Sequence, residues 1–184
     1  MKNNLFPENQ KGFSLIELMV VVVILSLVIL GLVTFFTGGA RSWIAGQSQL
    51  EAQRNARQAM DRMVREIREG KNITTGSATS ITTNVPHFDV NGNINSYNNV
   101  TYELYDTTTI RRDNIPLIDN VLKISGEDIF KYYDSGGIEI DPPDITVSKV
   151  HINLKVDVDD DDDNPDITLN TDVNLRNYGL SGNL

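Results

Sequence analysis

The run from Phe13 to Phe36, FSLIELMVVVVILSLVILGLVTFF, holds a single ionisable side chain, Glu17. At about 1.5 Å per residue a helix of this length exceeds the roughly 20 residues that cross a hydrocarbon core of about 30 Å, so the sequence predicts a transmembrane helix over 13–36. The ordinary rival is a secretory signal peptide, which has an apolar run of about 7–15 residues and a small-residue cut site after it. Here the run is longer, and nothing like Ala-x-Ala follows it before Arg41-Ser42-Trp43. The polar leader, residues 1–12, instead ends in Lys11-Gly12 ahead of the run. A cut between Gly12 and Phe13 would keep the hydrophobic helix.

Glu17 separates a plain anchor from something more specific. A carboxylate at the bilayer centre costs about 2.5–3.5 kcal/mol on insertion scales and marks function by default. If the Gly12–Phe13 bond is cut, the new amine of Phe13 is positive below a pKa of about 7.7–8.0. Glu17 then stands one helical turn away on the same face.

The stretch Gly12-Phe13-Ser14-Leu15-Ile16-Glu17 resembles the start of type IV pilins and pseudopilins, with a short leader ending in Lys/Arg-Gly and a long apolar helix after it. The resemblance implies that a prepilin peptidase cuts after Gly12 and methylates the amine of Phe13. It implies also that Glu17 pairs with the Phe13 amine of a neighbouring subunit. The implied partners are that peptidase, other pilin or pseudopilin subunits, an inner-membrane assembly platform and, before assembly, membrane lipid. The implied location is a single-pass cytoplasmic membrane protein with its head outside the cytoplasm, later part of a periplasmic or cell-surface filament.

The 184 residues leave about 150 after the apolar run, enough for one compact domain. The absence of Cys removes disulfides, thiolate metal sites and thiol nucleophiles, and with them the loop-closing disulfide of many major pilins. The net charge of −9 is unevenly spread: residues 1–36 sum to zero, six Arg against four acids give 37–70 a net +2, and −11 falls on 71–184. Such an acidic surface disfavours non-specific nucleic-acid binding, which draws its affinity from phosphate attraction.

After Phe36 the pattern becomes one-sided. Leu50, Ala56, Met60, Met63, Val64 and Ile67 recur at helical steps, no Pro interrupts Trp43–Glu69, and Gly70 offers a stop. Asp61 with Arg65 and Arg62 with Glu66 fall at i,i+4. Residues 37–70 thus read as an amphipathic helix continuing the membrane segment, with Gly31 and Gly38-Gly39 as the places where it could loosen. From 71 to 184 short β-branched and aromatic runs alternate with Asn, Asp and Gly. Strands are expected at Ile81–Val85, on either side of Asn91-Gly92-Asn93, and at Val100–Leu104, Thr107–Arg112, Val121–Ile124, Ile129–Tyr133, Val147–Val158 and Ile167–Leu175. The expected class is α+β, a long N-terminal helix packed on an antiparallel β-sheet head. VTYELYDTTTIRRD, VLKISGEDIFKYYDSGG, VHINLKV and TDVNLRN in that head resemble units of J-type pseudopilins of type II secretion and W-type minor pilins.

No catalytic constellation stands out, and His87 and His151 read as structural. The acidic run is the candidate ion site: Asp157, Asp159, Asp161 and Asp163 could offer oxygens to calcium, a hard cation taking 6–8 ligands. The EF-hand pattern fails, since Asp162 stands at the sixth position and Thr168 at the twelfth from Asp157. The competing reading is a self-repelling, solvated hairpin loop. Together these features read as a non-enzymatic minor pilin or pseudopilin without a required cofactor. The alternatives are a major pilin or a membrane-anchored receptor.

Overall fold

In a computed structural model the described residues are 12–141, 146–158 and 164–176. Two compact units divide the chain, one ending at Gln47 and the other beginning at Ser48. A single α-helix, α1 (Leu15–Glu69), contributes to both.

In the first unit α1 runs without a break through Gly31, Gly38 and Gly39, the places where it could loosen. Its apolar side chains are exposed, and its most apolar stretch reaches a mean hydropathy of 3.1. The few hydroxyls turn inward on the helix. Ser26 Oγ donates to the Val22 carbonyl at 2.7 Å, Thr34 Oγ1 to Leu30 at 3.1 Å and Thr37 Oγ1 to Val33 at 2.8 Å. Lipid offers no hydrogen bonds, so this back-bonding makes the segment compatible with a bilayer despite its polar atoms.

In the second unit α1 buries Ala56, Ala59, Met60, Met63 and Ile67. Val64 is half-buried, whereas Leu50, expected in the stripe, is exposed. These residues share one core with two antiparallel sheets. The larger sheet holds β1 (Ile73–Gly76), β2 (Ser80–Phe88), β3 (Ile94–Tyr105), β4 (Thr109–Arg112) and β5 (Ile115–Ile118) in that order. The smaller holds β6 (Phe130–Tyr133), β7 (Lys149–Val156) and β8 (Ile167–Asn174). Two sheets thus replace the single one expected. Along β7 the alternation is complete: Val150, Ile152, Leu154 and Val156 face inward while Lys149, His151, Asn153 and Lys155 do not.

Turn chemistry sets the registers. Between β2 and β3 the Asp89 carboxylate accepts the amides of Asn91 at 2.9 Å and Asn93 at 2.8 Å, and Gly92 takes φ 83°. This is the hairpin that Asn91-Gly92-Asn93 predicts. Asp113 and Asn114, at φ 49° and 66°, make a two-residue turn into β5, a strand not expected from sequence. Short β1 was missed too. The expected strand Val121–Ile124 reduces to one bridge, Val121 to Val156. The two sheets are tied by the amides of Ile129 and Phe130 on the Ala78 carbonyl, and by Tyr132 Oη, which donates to Ser80 O at 2.7 Å.

Glu66 joins helix to sheet. Its Oε2 accepts Tyr102 Oη at 2.6 Å and Arg112 Nε at 2.9 Å, and its Oε1 accepts Arg62 Nε at 3.2 Å. The expected Arg62–Glu66 pair therefore forms, while Asp61–Arg65 is not among the ion pairs of the described residues. Burial pushes the Glu66 pKa up, but bonds from Tyr102, Arg112 and Arg62 outweigh it and hold the carboxyl below its ordinary 4.5. Burial, followed by the bond to Glu66, raises the Tyr102 phenol. A depressed carboxylate stabilises the fold above its unfolded pKa and loses that contribution as pH falls. Unfolding of the full chain in detergent, followed by tyrosine fluorescence, should show stability falling as pH drops below about 4.5. Glu66→Gln should lower stability at pH 7 by about 1–3 kcal/mol, the cost of weakening bonds to a charged group, and flatten that acid limb.

Gly70 follows the last residue of α1 and lies against Thr83 of β2. A Cβ there would meet Thr83 Oγ1 at 2.1 Å and the Ile67 carbonyl at 3.0 Å. Thr83 is fully buried and donates to Asn72 O at 3.2 Å, so it cannot move aside without losing that bond. Gly70→Ala should destabilise the head by about 1–3 kcal/mol, read as a lower denaturant midpoint with an unchanged slope.

Candidate functional site

The residues singled out at the start of the chain come together at the N-terminus of α1. Gly12 and Phe13 precede the helix in non-helical chain, and Phe13 is 86% exposed. Among the described residues a Cβ on Gly12 would meet nothing within 4 Å.

Ser14 caps the helix and Glu17 completes the cap. Ser14 Oγ accepts the amide of Ile16 at 3.3 Å, and the Ser14 carbonyl accepts those of Glu17 at 3.0 Å and Leu18 at 3.2 Å. In return Glu17 Oε2 accepts the Ser14 amide at 3.1 Å. Ser14-x-x-Glu17 is therefore a reciprocal capping box, with serine at the cap and glutamate three residues on. The sequence reading missed this, although a Ser-x-x-Glu before an apolar run is a sufficient signal for it. The carboxylate also lies at the positive end of the helix dipole, worth about 0.3–1 kcal/mol at an exposed site.

The other candidates do not gather into a site. Asp157 donates its amide to the Asn120 carbonyl at 2.9 Å, while Asp159, Asp161 and Asp163 lie outside the described residues. At the edge of that run Asp166 Oδ2 accepts the Val158 amide at 2.9 Å. Among the described residues no three His, Cys, Asp or Glu side chains are placed to hold a metal ion. His151 pairs with Asp172, Nδ1 to Oδ1 at 2.6 Å, and this bond is the first cause of the lowered Asp172 carboxyl pKa. His87 is exposed near the end of β2.

Comparison with known proteins bears on the same segment. Residues 8–33 match the family model described as the prokaryotic N-terminal methylation motif. No curated protein and no solved structure matches the chain. The motif, whose family is structural in role, supports a type IV pilin-like protein, and the apolar helix after it suggests membrane anchoring. The matched segment contains Gly12, Phe13, Ser14 and Glu17 together.

The cap makes a local prediction. Ser14→Ala should fray the first turn, costing about 1 kcal/mol, seen as faster amide hydrogen exchange at Ile16 and Glu17 in detergent-solubilised full chain. Glu17→Gln should leave the Ser14 amide protected, because glutamine also serves the capping box.

Proposed function

We propose that this chain is a minor pilin or pseudopilin subunit, cut between Gly12 and Phe13 by a prepilin peptidase, methylated at the Phe13 amine and assembled with other pilin subunits into a filament. The observation that carries the reading is Glu17. It is the one charge of the exposed apolar run 13–36, held by its own cap at the first turn within a prepilin-type motif. On this reading the cut produces an ammonium on Phe13. A neighbouring subunit's Glu17 accepts it through a carboxylate already oriented by Ser14. A buried charge is costly alone and tolerable when paired, so the pair favours docking when both groups are ionised.

The minor-subunit assignment draws its support from the head. VTYELYDTTTIRRD folds as the β3–β4 hairpin, and FKYYDSGG as β6 followed by a turn in which Asp134 Oδ1 accepts the amides of Gly136 and Ile138, each at 2.8 Å. The first has the strand, turn, strand form of the unit it resembles. On this reading the precursor waits in the cytoplasmic membrane with its head outside, and an inner-membrane platform adds it to the filament.

Processing and assembly test the reading separately. Gly12→Val should crowd the peptidase and leave the longer precursor in membranes. Mass spectrometry finding a chain that begins at Phe13 in that variant would contradict the cut site. Glu17→Gln keeps the cap and removes the charge, whereas Glu17→Ala removes both. Both variants should be processed and both should drop out of sheared filaments by at least about tenfold, the effect of about 1.4 kcal/mol. Assembly of Glu17→Gln at wild-type level would assign Glu17 to capping alone and sink the pairing.

A further inference from the structure

β2 and β3 run on together beyond the strands that flank them. β1 covers β2 over 81–83 and β4 covers β3 over 102–105, so the hairpin over 84–99 is a ribbon of two strands. Residues 91–99 are exposed throughout. Two strands alone are marginally stable in water, and a third stabilises them.

The two edges of this ribbon differ. On the β2 side the Asn84 amide donates to Asn72 O at 3.2 Å and its carbonyl accepts the Lys71 amide at 2.8 Å. The next residue to face that way, Pro86, has no N–H to offer. On the β3 side the Thr101 amide donates to Asp113 Oδ1 at 2.8 Å, and its carbonyl accepts the Asp113 amide at 2.9 Å. Antiparallel pairing turns alternate residues to opposite edges, so Asn99 and Tyr97 point the same way as Thr101 while Val100 and Asn98 turn to β2. Among the described residues no strand or loop meets the backbone of Tyr97 or Asn99 on that side. Lys71 Nζ stands 5.1 Å from the centre of the Tyr97 ring, a side-chain contact that leaves those backbone groups unbonded. Edges are ordinarily blunted by proline, charge or a covering segment. Pro86 does this for β2, and nothing does it for β3.

Charge is scarce here as well. Besides Tyr97 the ionisable side chains of the ribbon are His87 and Asp89, and Asp89 Oδ1 is occupied by the amides of Asn91 and Asn93. Asp113, beside the edge, gives Oδ1 to Thr101 and Oδ2 to Arg112 Nη1 at 2.8 Å. A charged partner would find no free counter-charge along this edge. We infer that the edge of β3 at Tyr97 and Asn99 is a docking site for an extended, uncharged segment of another protein, which joins the larger sheet as a strand beside β3. The N–H and C=O of both residues hold it, and exposed Ile94, with Phe88 across from it, supplies apolar contact.

Hydrogen exchange of the full-length protein in detergent reads these bonds directly. The Tyr97 and Asn99 amides should exchange faster than those of Asn98 and Val100. The probe is the blocked peptide acetyl-Thr-Val-Thr-Val-Thr-amide, uncharged and rich in β-branched residues. At about ten times its Kd it should slow exchange at Tyr97 and Asn99 by about tenfold, because exchange then proceeds from the unbound fraction. A peptide with proline at its three inner positions lacks the donors and should give no protection. Asn99→Pro removes a donor from the edge without touching a bond to β2, as Pro86 does on the other side. It should weaken peptide binding by at least about fivefold, about 1 kcal/mol, while continued protection of Val100 shows that the ribbon has formed. No protection by the first peptide, or equal protection by the proline-bearing one, would overturn the inference. So would peptide binding that Asn99→Pro leaves at full strength. Protection of Tyr97 and Asn99 that rises with protein concentration in the absence of peptide would also overturn it, in favour of pairing with a second copy.

Discussion

Both sheets lean on one stripe of α1. Met63 and Ile67 are fully buried, and with Ala56, Ala59 and Met60 they close the space that Ile81, Tyr102 and Ile110 line from the larger sheet and Phe130, Ile152 and Leu154 from the smaller. A three-stranded sheet with an alternating face has nowhere else to bury it, and each large side chain so covered is worth about 1.5–3 kcal/mol. The alanines matter as much as the large residues. At Ala56 and Ala59 the helix surface is low enough for the sheets to approach closely, so the seam is set by small residues as well as by apolar ones.

This explains which parts of the chain were legible in its sequence. The membrane-length run, the GFSLIE stretch and the helical stripe rest on periodicity and composition, which survive folding unchanged. Leu50 was misplaced because hydrophobicity was counted without its angle: six residues before Ala56 is about 240° of rotation at about 100° per residue, so Leu50 falls on the outer face. Ala52 and Ala59 hold the places on the seam, one half-buried and one buried. β5 was hidden by Pro116 and by reading Arg112 as the end of a hairpin, although Asp113-Asn114 is a turn pair suited to positive φ. The junction of the two sheets is made by backbone bonds from Ile129 and Phe130 to Ala78, across about 50 residues, and no local pattern encodes it.

Two carboxylates on α1 face the cost of leaving water in different ways. Glu66 is compensated within the chain by three donors, two from side chains on the sheet and one from its own helix, so its charge serves the fold. Among the described residues Glu17 receives a backbone amide from its own first turn and no side-chain donor. An amide dipole does not neutralise a charge, and in a hydrocarbon setting the difference between the two is several kcal/mol. A fold needing only an anchor would place an apolar residue at position 17. The unbalanced charge is the physical reason to look for a cation outside the chain.

The cap need not compete with such a cation. The Ser14 amide occupies Glu17 Oε2, and a carboxylate has about four lone-pair sites on its two oxygens. Fixing one oxygen removes rotamer freedom before any partner arrives, so less entropy is lost on pairing. It also ties the carboxylate to the helix start instead of leaving it at the end of a mobile side chain. The Gly12–Phe13 bond, the proposed cut site, lies immediately outside that start, in chain that is not helical. On the proposed reading Ser14 divides two requirements that would conflict within one helix: non-helical backbone for a peptidase on one side, and a rigid, oriented charge for a neighbour on the other.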